Sequence, residues 1–191
     1  IREKQQILIA LNKPVGIECT SDMKNPDNII DFVGYHKRIY PIGRLDKNSQ
    51  GLILLTNDGA FVNGILKASN YHEKEYIVTV DKKITDDFIK KMSQGVEILN
   101  QETRPCRVSK ISNNTFNIVL TQGLNRQIRR MCEALGYNVQ KLKRIRIVNI
   151  EMGNMPVGAY RNVTEEELNK LKKICGIYER IKWRNQRELK N

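Results

Sequence analysis

The chain has 191 residues, 40% of them hydrophobic, with 33 Lys and Arg against 21 Asp and Glu, a formal charge of +12. That length suits one domain with a real core and no staples, and such an excess of cations calls for an extended anionic partner, nucleic acid ahead of a membrane surface. A spanning helix, a disulfide scaffold and a zinc site are set aside: no apolar run approaches about 20 residues, the four cysteines form no Cys-x-x-Cys pair, and there are only two His.

Four scattered cysteines fit a reduced, cytoplasmic chain. Residues 1–6 resemble no signal peptide, and an opening Ile rather than Met reads as a piece of a longer chain. Residues 7–11 are continuously apolar, which predicts a buried strand. Asn12-Lys13-Pro14-Val15-Gly16-Ile17 then marks a turn. Asp27 is placed to cap a short helix over 28–33. Residues 38–42 and 52–55 read as two further strands, with a polar loop between them bracketed by Gly43 and Gly51. Asp46 sits in that loop, and loops held by rigid strands commonly carry chemistry. Taken alone, the same residues fit an ordinary solvated turn better.

Asp58 caps a predicted helix over 59–67 that turns Phe61, Ile65 and Leu66 inward. Residues 72–80 form a β-branched, aromatic strand with Tyr76, Val78 and Val80 on one face. A helix follows over 85–92, started by Thr85 or Asp86 and ended by Gly95. Three strands are predicted next, at 96–99, 106–111 and 115–121, with Asn113-Asn114 turning between the last two.

Residues 123–136 predict a helix with Asn125 as N-cap and Gly136 at C′. Ile128, Met131, Cys132 and Leu135 make its apolar stripe, with Arg126, Arg129 and Arg130 on the other side. Cations in the first turns oppose the helix dipole, so stability does not select them and an anion is expected nearby, a phosphate, a carboxylate or both. Along 139–150, Ile145 and Ile147 alternate with Arg144 and Arg146, which predicts one buried face and one charged face, solvated on the pattern alone and in contact with phosphate if the chain works on nucleic acid. Thr164-Glu165-Glu166-Glu167 is a capping box for a helix to 174, stopped by Gly176. Residues 177–191 read as a basic helical extension anchored by Trp183. It belongs to the same domain as 1–176, since no repeat or linker divides the chain.

Four of these stretches, in chain order, resemble motifs of the pseudouridine synthases of the ribosomal branch. They are Leu11-Asn12-Lys13-Pro14-Val15-Gly16, the loop from Gly43-Arg44-Leu45-Asp46 to Gly59, Lys74-Glu75-Tyr76, and Gly123-Leu124-Asn125-Arg126-Gln127-Ile128-Arg129-Arg130. The resemblance covers about residues 7–171. It implies an α+β fold, a mixed and mostly antiparallel sheet flanked by helices, with a central cleft and Asp46 at its floor. It implies an isomerase converting uridine to pseudouridine in ribosomal RNA, the large subunit first and small-subunit RNA or tRNA as alternatives. The enzyme would be a monomer without metal or organic cofactor.

By the same resemblance Asp46 carries the reaction, Tyr76 lies against the flipped base, and Arg129 pairs with Asp46. Arg44, Leu45, Ile128 and Leu142 line the pocket. Lys13, Arg126, Arg130, Lys143 and Arg144 contact RNA. Members of the family commonly begin with a small basic domain of the ribosomal-protein S4 type, which this sequence does not contain. A non-catalytic RNA-binding module is the rival reading, and it has no need of Asp46. A nuclease would want paired His or a carboxylate cluster for metal, and the sequence offers neither.

Overall fold

The computed structural model describes residues 5–69 and 71–176. β1 (Leu8–Lys13), α1 (Ile29–Val33), β2 (Tyr40–Ile42), β3 (Gln50–Thr56), α2 (Gly59–Ser69), β4 (Lys74–Val80) and α3 (Asp86–Gln94) come first. β5 (Glu97–Ile98), β6 (Gln101–Glu102), β7 (Arg107–Lys110), β8 (Thr115–Leu120), α4 (Gln127–Ala134), β9 (Val139–Ile147), β10 (Ile150–Glu151), β11 (Tyr160–Asn162) and α5 (Glu165–Cys175) complete them. The extension expected at 177–191, with Trp183, lies outside the described residues.

Nine strands make one sheet in the order β11-β1-β3-β9-β4-β8-β7, with β2 on β3 and β10 on β9, while β5 and β6 pair separately. Within the sheet only β3 and β9 run parallel, Gln50 opposite Lys143 and Gly51 opposite Arg144. The fold is therefore α+β with a mixed, mostly antiparallel sheet, as expected. None of the described helices is long and apolar enough to cross a membrane.

The two sides of that parallel junction are built differently. β1 and β3 are covered on both faces: Ile9, Leu11, Ile53 and Leu55 pack with α1, and Leu8, Ala10, Leu52 and Leu54 pack with α2 and α5. Burial on both faces explains their continuous apolar runs. β4 alternates instead, turning Tyr76, Val78 and Val80 onto Phe88, Phe116, Ile118 and Met131. Each such side chain contributes about 1.5–3 kcal/mol when fully buried. At the junction, Gly51 has φ +121°, and a Cβ there would lie 2.2 Å from the Arg144 carbonyl oxygen. Only glycine lets the two backbones meet.

Several local expectations are corrected. Asn28, not Asp27, caps α1, its Oδ1 accepting from the Asp31 amide at 2.8 Å, while Asp27 pairs with Lys47 at 3.0 Å. Leu66 is 38% exposed rather than in the core. β6 was not expected, because its residues are polar and its turn is Leu99-Asn100, both at positive φ, without the usual glycine signal. Asn125 does not cap α4: Arg126 holds the N-cap position in a left-handed conformation, φ 49°, without a side-chain cap bond. Asp58, Thr85 and the Thr164 box do cap the helices expected of them.

Candidate active site

The loop joining β2 to β3 carries Asp46, and its backbone is bonded carbonyl by carbonyl. Arg144 Nη1 donates to the Arg44 oxygen at 3.3 Å, Cys19 Sγ to the Leu45 oxygen at 3.3 Å, and the Ser49 amide to the Asp46 oxygen at 2.9 Å. The Gly16 amide donates to the Lys47 oxygen at 2.7 Å, and Arg129 Nη2 donates to the Asn48 oxygen at 3.2 Å. Five consecutive carbonyls, 44–48, thus have donors, four of them from elements distant in sequence. A loop satisfied this fully is held in one conformation, so the Asp46 side chain is aimed before any ligand arrives.

Two cations expected to contact RNA, Lys13 and Arg144, are instead buried against this loop and bonded to backbone carbonyls. Lys13 is 0% exposed. Its Nζ donates to the Pro14 and Ile17 carbonyls at 2.8 and 2.7 Å and to the Lys47 carbonyl of the loop at 3.5 Å, which engages all three of its protons. Burial lowers its pKa, opposed by the nearby Cys19 and Asp46. Arg144 is 6% exposed because β9 lies between β3 and β4, and its Nε donates to the Leu52 carbonyl at 2.8 Å. The alternation of Arg144 and Arg146 with Ile145 and Ile147 therefore does not separate a charged face from an apolar one. Arg146 is bound instead by Glu75 at 3.0 Å.

Arg129, placed by sequence on the side of α4 opposite its apolar stripe, is 8% exposed. It donates to Ser49 Oγ at 3.0 Å as well as to Asn48. Its Nε lies 4.0 Å from Asp46 Oδ2, whereas Arg126 Nη1 reaches the same oxygen at 3.2 Å. Arg126 is thus the closer partner of the carboxylate. Burial and then the adjacent Arg126 lower the pKa of Arg129, while Asp46 supports its charge. The unusual backbone of Arg126 fits that placement, since left-handed non-glycine residues are sparse and cluster at functional sites.

Asp46, with its side chain 37% exposed, opens into a cleft of about 510 Å³. Arg44, Leu45, Tyr76, Ile128, Arg129 and Leu142 all line it, so the structure gathers the expected catalytic and pocket residues at one place. Arg126 and Arg144 line it as well. Lys143 and Arg130 lie outside it, half-buried, with Arg130 bonded to Asn125. A volume of this order suits a nucleoside-sized ligand. Lys74 is a lining residue that sequence reasoning named only as part of a motif. Its place two residues before Tyr76 on a strand was the available signal. Among the described residues, no group of three or more His, Cys, Asp or Glu could hold a metal ion.

Comparison with known proteins follows this geometry. Residues 7–134 match the family described as RNA pseudouridylate synthase. The chain is 58% identical over 168 residues to the dual-specificity RNA pseudouridine synthase RluF of Escherichia coli K12, covering 88% of this chain and 58% of that protein. It is 31% identical over 183 residues to the ribosomal large subunit pseudouridine synthase B of Bacillus subtilis 168, covering 92% and 75% respectively. A crystal structure of a pseudouridylate synthase superposes with a TM-score of 0.81 at 28% identity, over 88% of this chain and 75% of that one. The chain spans a little under three fifths of the length of RluF. With the family match extending from β1 through α4, the chain belongs to the RNA pseudouridylate synthases.

Proposed function

We propose that the chain isomerises uridine to pseudouridine in RNA, with large-subunit ribosomal RNA as its substrate. One observation carries the reading: a pre-aimed Asp46 carboxylate, 3.2 Å from Arg126, opens into a cleft lined by Tyr76, Ile128 and Leu142. A binding module gains nothing from a carboxylate there, because it repels phosphate. An enzyme that must break N1–C1′, turn the uracil and join C5 to C1′ needs an ionised carboxylate near the sugar. Arg126 and Arg129 lie 3.2 and 4.0 Å from that carboxylate.

The target bond is hidden in stacked RNA, so the nucleotide is flipped into the cleft. Arg44, exposed beside Asp46, holds the emptied backbone. Tyr76 stacks on the uracil and receives or relays the C5 proton. Ile128 and Leu142 wall the base off from water. Asp46 supplies the carboxylate as nucleophile or as base.

The choice of ribosomal RNA rests on the name of the Bacillus subtilis relative, a ribosomal large subunit pseudouridine synthase, and on the +12 charge. Small-subunit RNA and tRNA are the alternatives. The proposal takes residues 1–176 as the catalytic unit with 177–191 as its extension. It acts as a cytoplasmic monomer without metal or organic cofactor, and its four free thiols suit that compartment.

The test is tritium release from 5-tritiated uridine in ribosomal RNA. Release by the wild type that disappears in Asp46→Ala supports the proposal. RNA binding without release, in both proteins, overturns it in favour of the binding module.

A further inference from the structure

Lys74 opens β4 two residues before Tyr76, and both side chains line the cleft. Its ammonium rests against Gly123, where an added Cβ would lie 3.2 Å from Nζ. Among the described residues no hydrogen bond or ion pair engages it. Arg126, Arg129 and Arg144 around the same cleft are all bonded.

The nearby carboxylates are occupied elsewhere: Glu73 by Arg107, Glu75 by Arg146, and Asp46 by Arg126. Titratable or charged groups facing the cleft besides Lys74 are Arg44, Asp46, Tyr76, Arg126, Arg129 and Arg144. Asp46 is the one acid among these described residues. A half-buried cation without a protein partner costs stability. Packing does not select it, so an anion supplied by the ligand is the simplest reason for it.

Resting on the isomerase reading above, we propose that the Lys74 ammonium stabilises the detached uracil. When N1–C1′ breaks, the bonding pair leaves with N1, and the base becomes an anion whose charge spreads over N1, O2 and O4. Asp46 answers the electron deficit left at the sugar. Lys74 donates a hydrogen bond to a uracil carbonyl oxygen while the base turns. The negative charge is discharged when the base's electron pair forms C5–C1′, after which C5 loses its proton and N1 gains one. The ammonium transfers nothing. It is a fixed charge aimed at where negative charge develops, and removing one such donor typically costs about 10²–10³-fold in turnover.

Burial, and then the charge of Arg144, push the pKa of Lys74 down to about 8. The ammonium is therefore lost on the alkaline side of neutrality, and the rate falls with it.

The experiment measures single-turnover tritium release from pH 6.5 to 9.5 for the wild type, Lys74→Met, Lys74→Arg and Gly123→Ala, with RNA affinity and thermal unfolding measured alongside. Wild-type release should fall along an alkaline limb. Lys74→Met should lose about 100-fold or more in rate, keep its RNA affinity, and lose that limb. Lys74→Arg should recover part of the rate without the limb, because guanidinium does not titrate there. Gly123→Ala, which presses on the ammonium without removing it, should slow turnover with the fold intact. A Lys74→Met protein with wild-type rate and pH profile overturns the assignment. So does one whose loss of rate follows loss of its thermal transition, with Gly123→Ala unaffected. A wild type that binds RNA and releases no tritium at any pH overturns the isomerase reading itself.

Discussion

The underside of the Asp46 loop and the cleft face above it are both lined by cations, and those cations do opposite work. Beneath the loop, Lys13 and Arg144 are buried and spend their donors on backbone carbonyls. Above it, Arg44, Lys74 and Arg126 face the cleft, and only Arg126 among them meets a carboxylate. Arg129 and Arg144 belong to both, since each also lines the cleft; Arg129 is fixed to Ser49 and Asn48 below and lies 4.0 Å from Asp46 above. Charge in the sequence thus reports two functions. Only burial separates the cations that shape the site from those that act in it.

The contrast is broken most severely from below. Gly51→Ala forces a Cβ to within 2.2 Å of the Arg144 carbonyl at a backbone angle side chains avoid, with backbone on both sides and no flexible atom to yield. Loss of the cooperative thermal transition is expected, and a normal melt would show that β3 and β9 can separate. Arg144→Met keeps the volume but strands the Leu52 and Arg44 carbonyls. At about 1–3 kcal/mol for each buried group left unpaired, it should lower stability in denaturant titration and slow turnover together.

The two arginines at Asp46 sharpen the comparison. Arg126→Ala removes the closer partner from an exposed position. It should cost about 10²-fold in turnover, as for a catalytic electrostatic contact, with little change in melting temperature. Arg129→Ala removes the loop anchor as well, so turnover and stability should fall together. Equal melting temperatures for the two variants would mean that the bonds of Arg129 to Ser49 and Asn48 do not hold the loop.

Much of this architecture was legible beforehand, and the failures share a cause. β1, β3 and β4 could be read from apolar runs and alternation, and the helix caps at Asp58, Thr85 and Thr164 from side-chain chemistry, because these signals are local. Asp46, Tyr76 and Leu142 could be placed in one cleft only through the four-motif resemblance, since β3, β4 and β9 meet by long-range pairing. Lys13 was assigned to RNA through the resemblance of its turn and Arg144 through the alternation along its strand, and neither signal carries burial, since charge ordinarily means exposure. No pattern within a single strand reveals that its neighbours lie on both edges and bury it. Arg126 was assigned to RNA, and its pairing with Asp46 was missed for a different reason: a left-handed arginine before a helix follows no propensity.

Lys74 tests the cleft side through stability rather than rate. Its pKa is about 8 in the folded chain against an ordinary 10.5, so the folded state holds the proton less tightly than the unfolded one. Below pH 8 the charged lysine is a burden on the fold. As pH rises from 8 towards 10.5 the unfolded state alone remains protonated, and the burden fades. Lys74→Met should therefore melt a few degrees higher than the wild type at pH 7, with the advantage shrinking by pH 10. A constant difference across that range would locate the effect in packing rather than in charge.

The smallest effects belong to the cations outside both regions. Lys143 and Arg130 are half-buried, bond nothing in the Asp46 loop, and do not line the cleft. If they contact phosphate, each neutralised phosphate adds to affinity through counterion release, without regard to the base in the pocket. Lys143→Ala and Arg130→Ala should each weaken RNA binding several-fold. Each should reduce the salt dependence of log Kd by about one, with single-turnover rate at saturating RNA and melting temperature unchanged. The side chain of Arg130 is already bonded to Asn125, which makes Lys143 the stronger of the two. An unchanged salt slope in Lys143→Ala would confine the RNA footprint to the cleft mouth, where Arg44 and Arg126 would have to supply the backbone contacts.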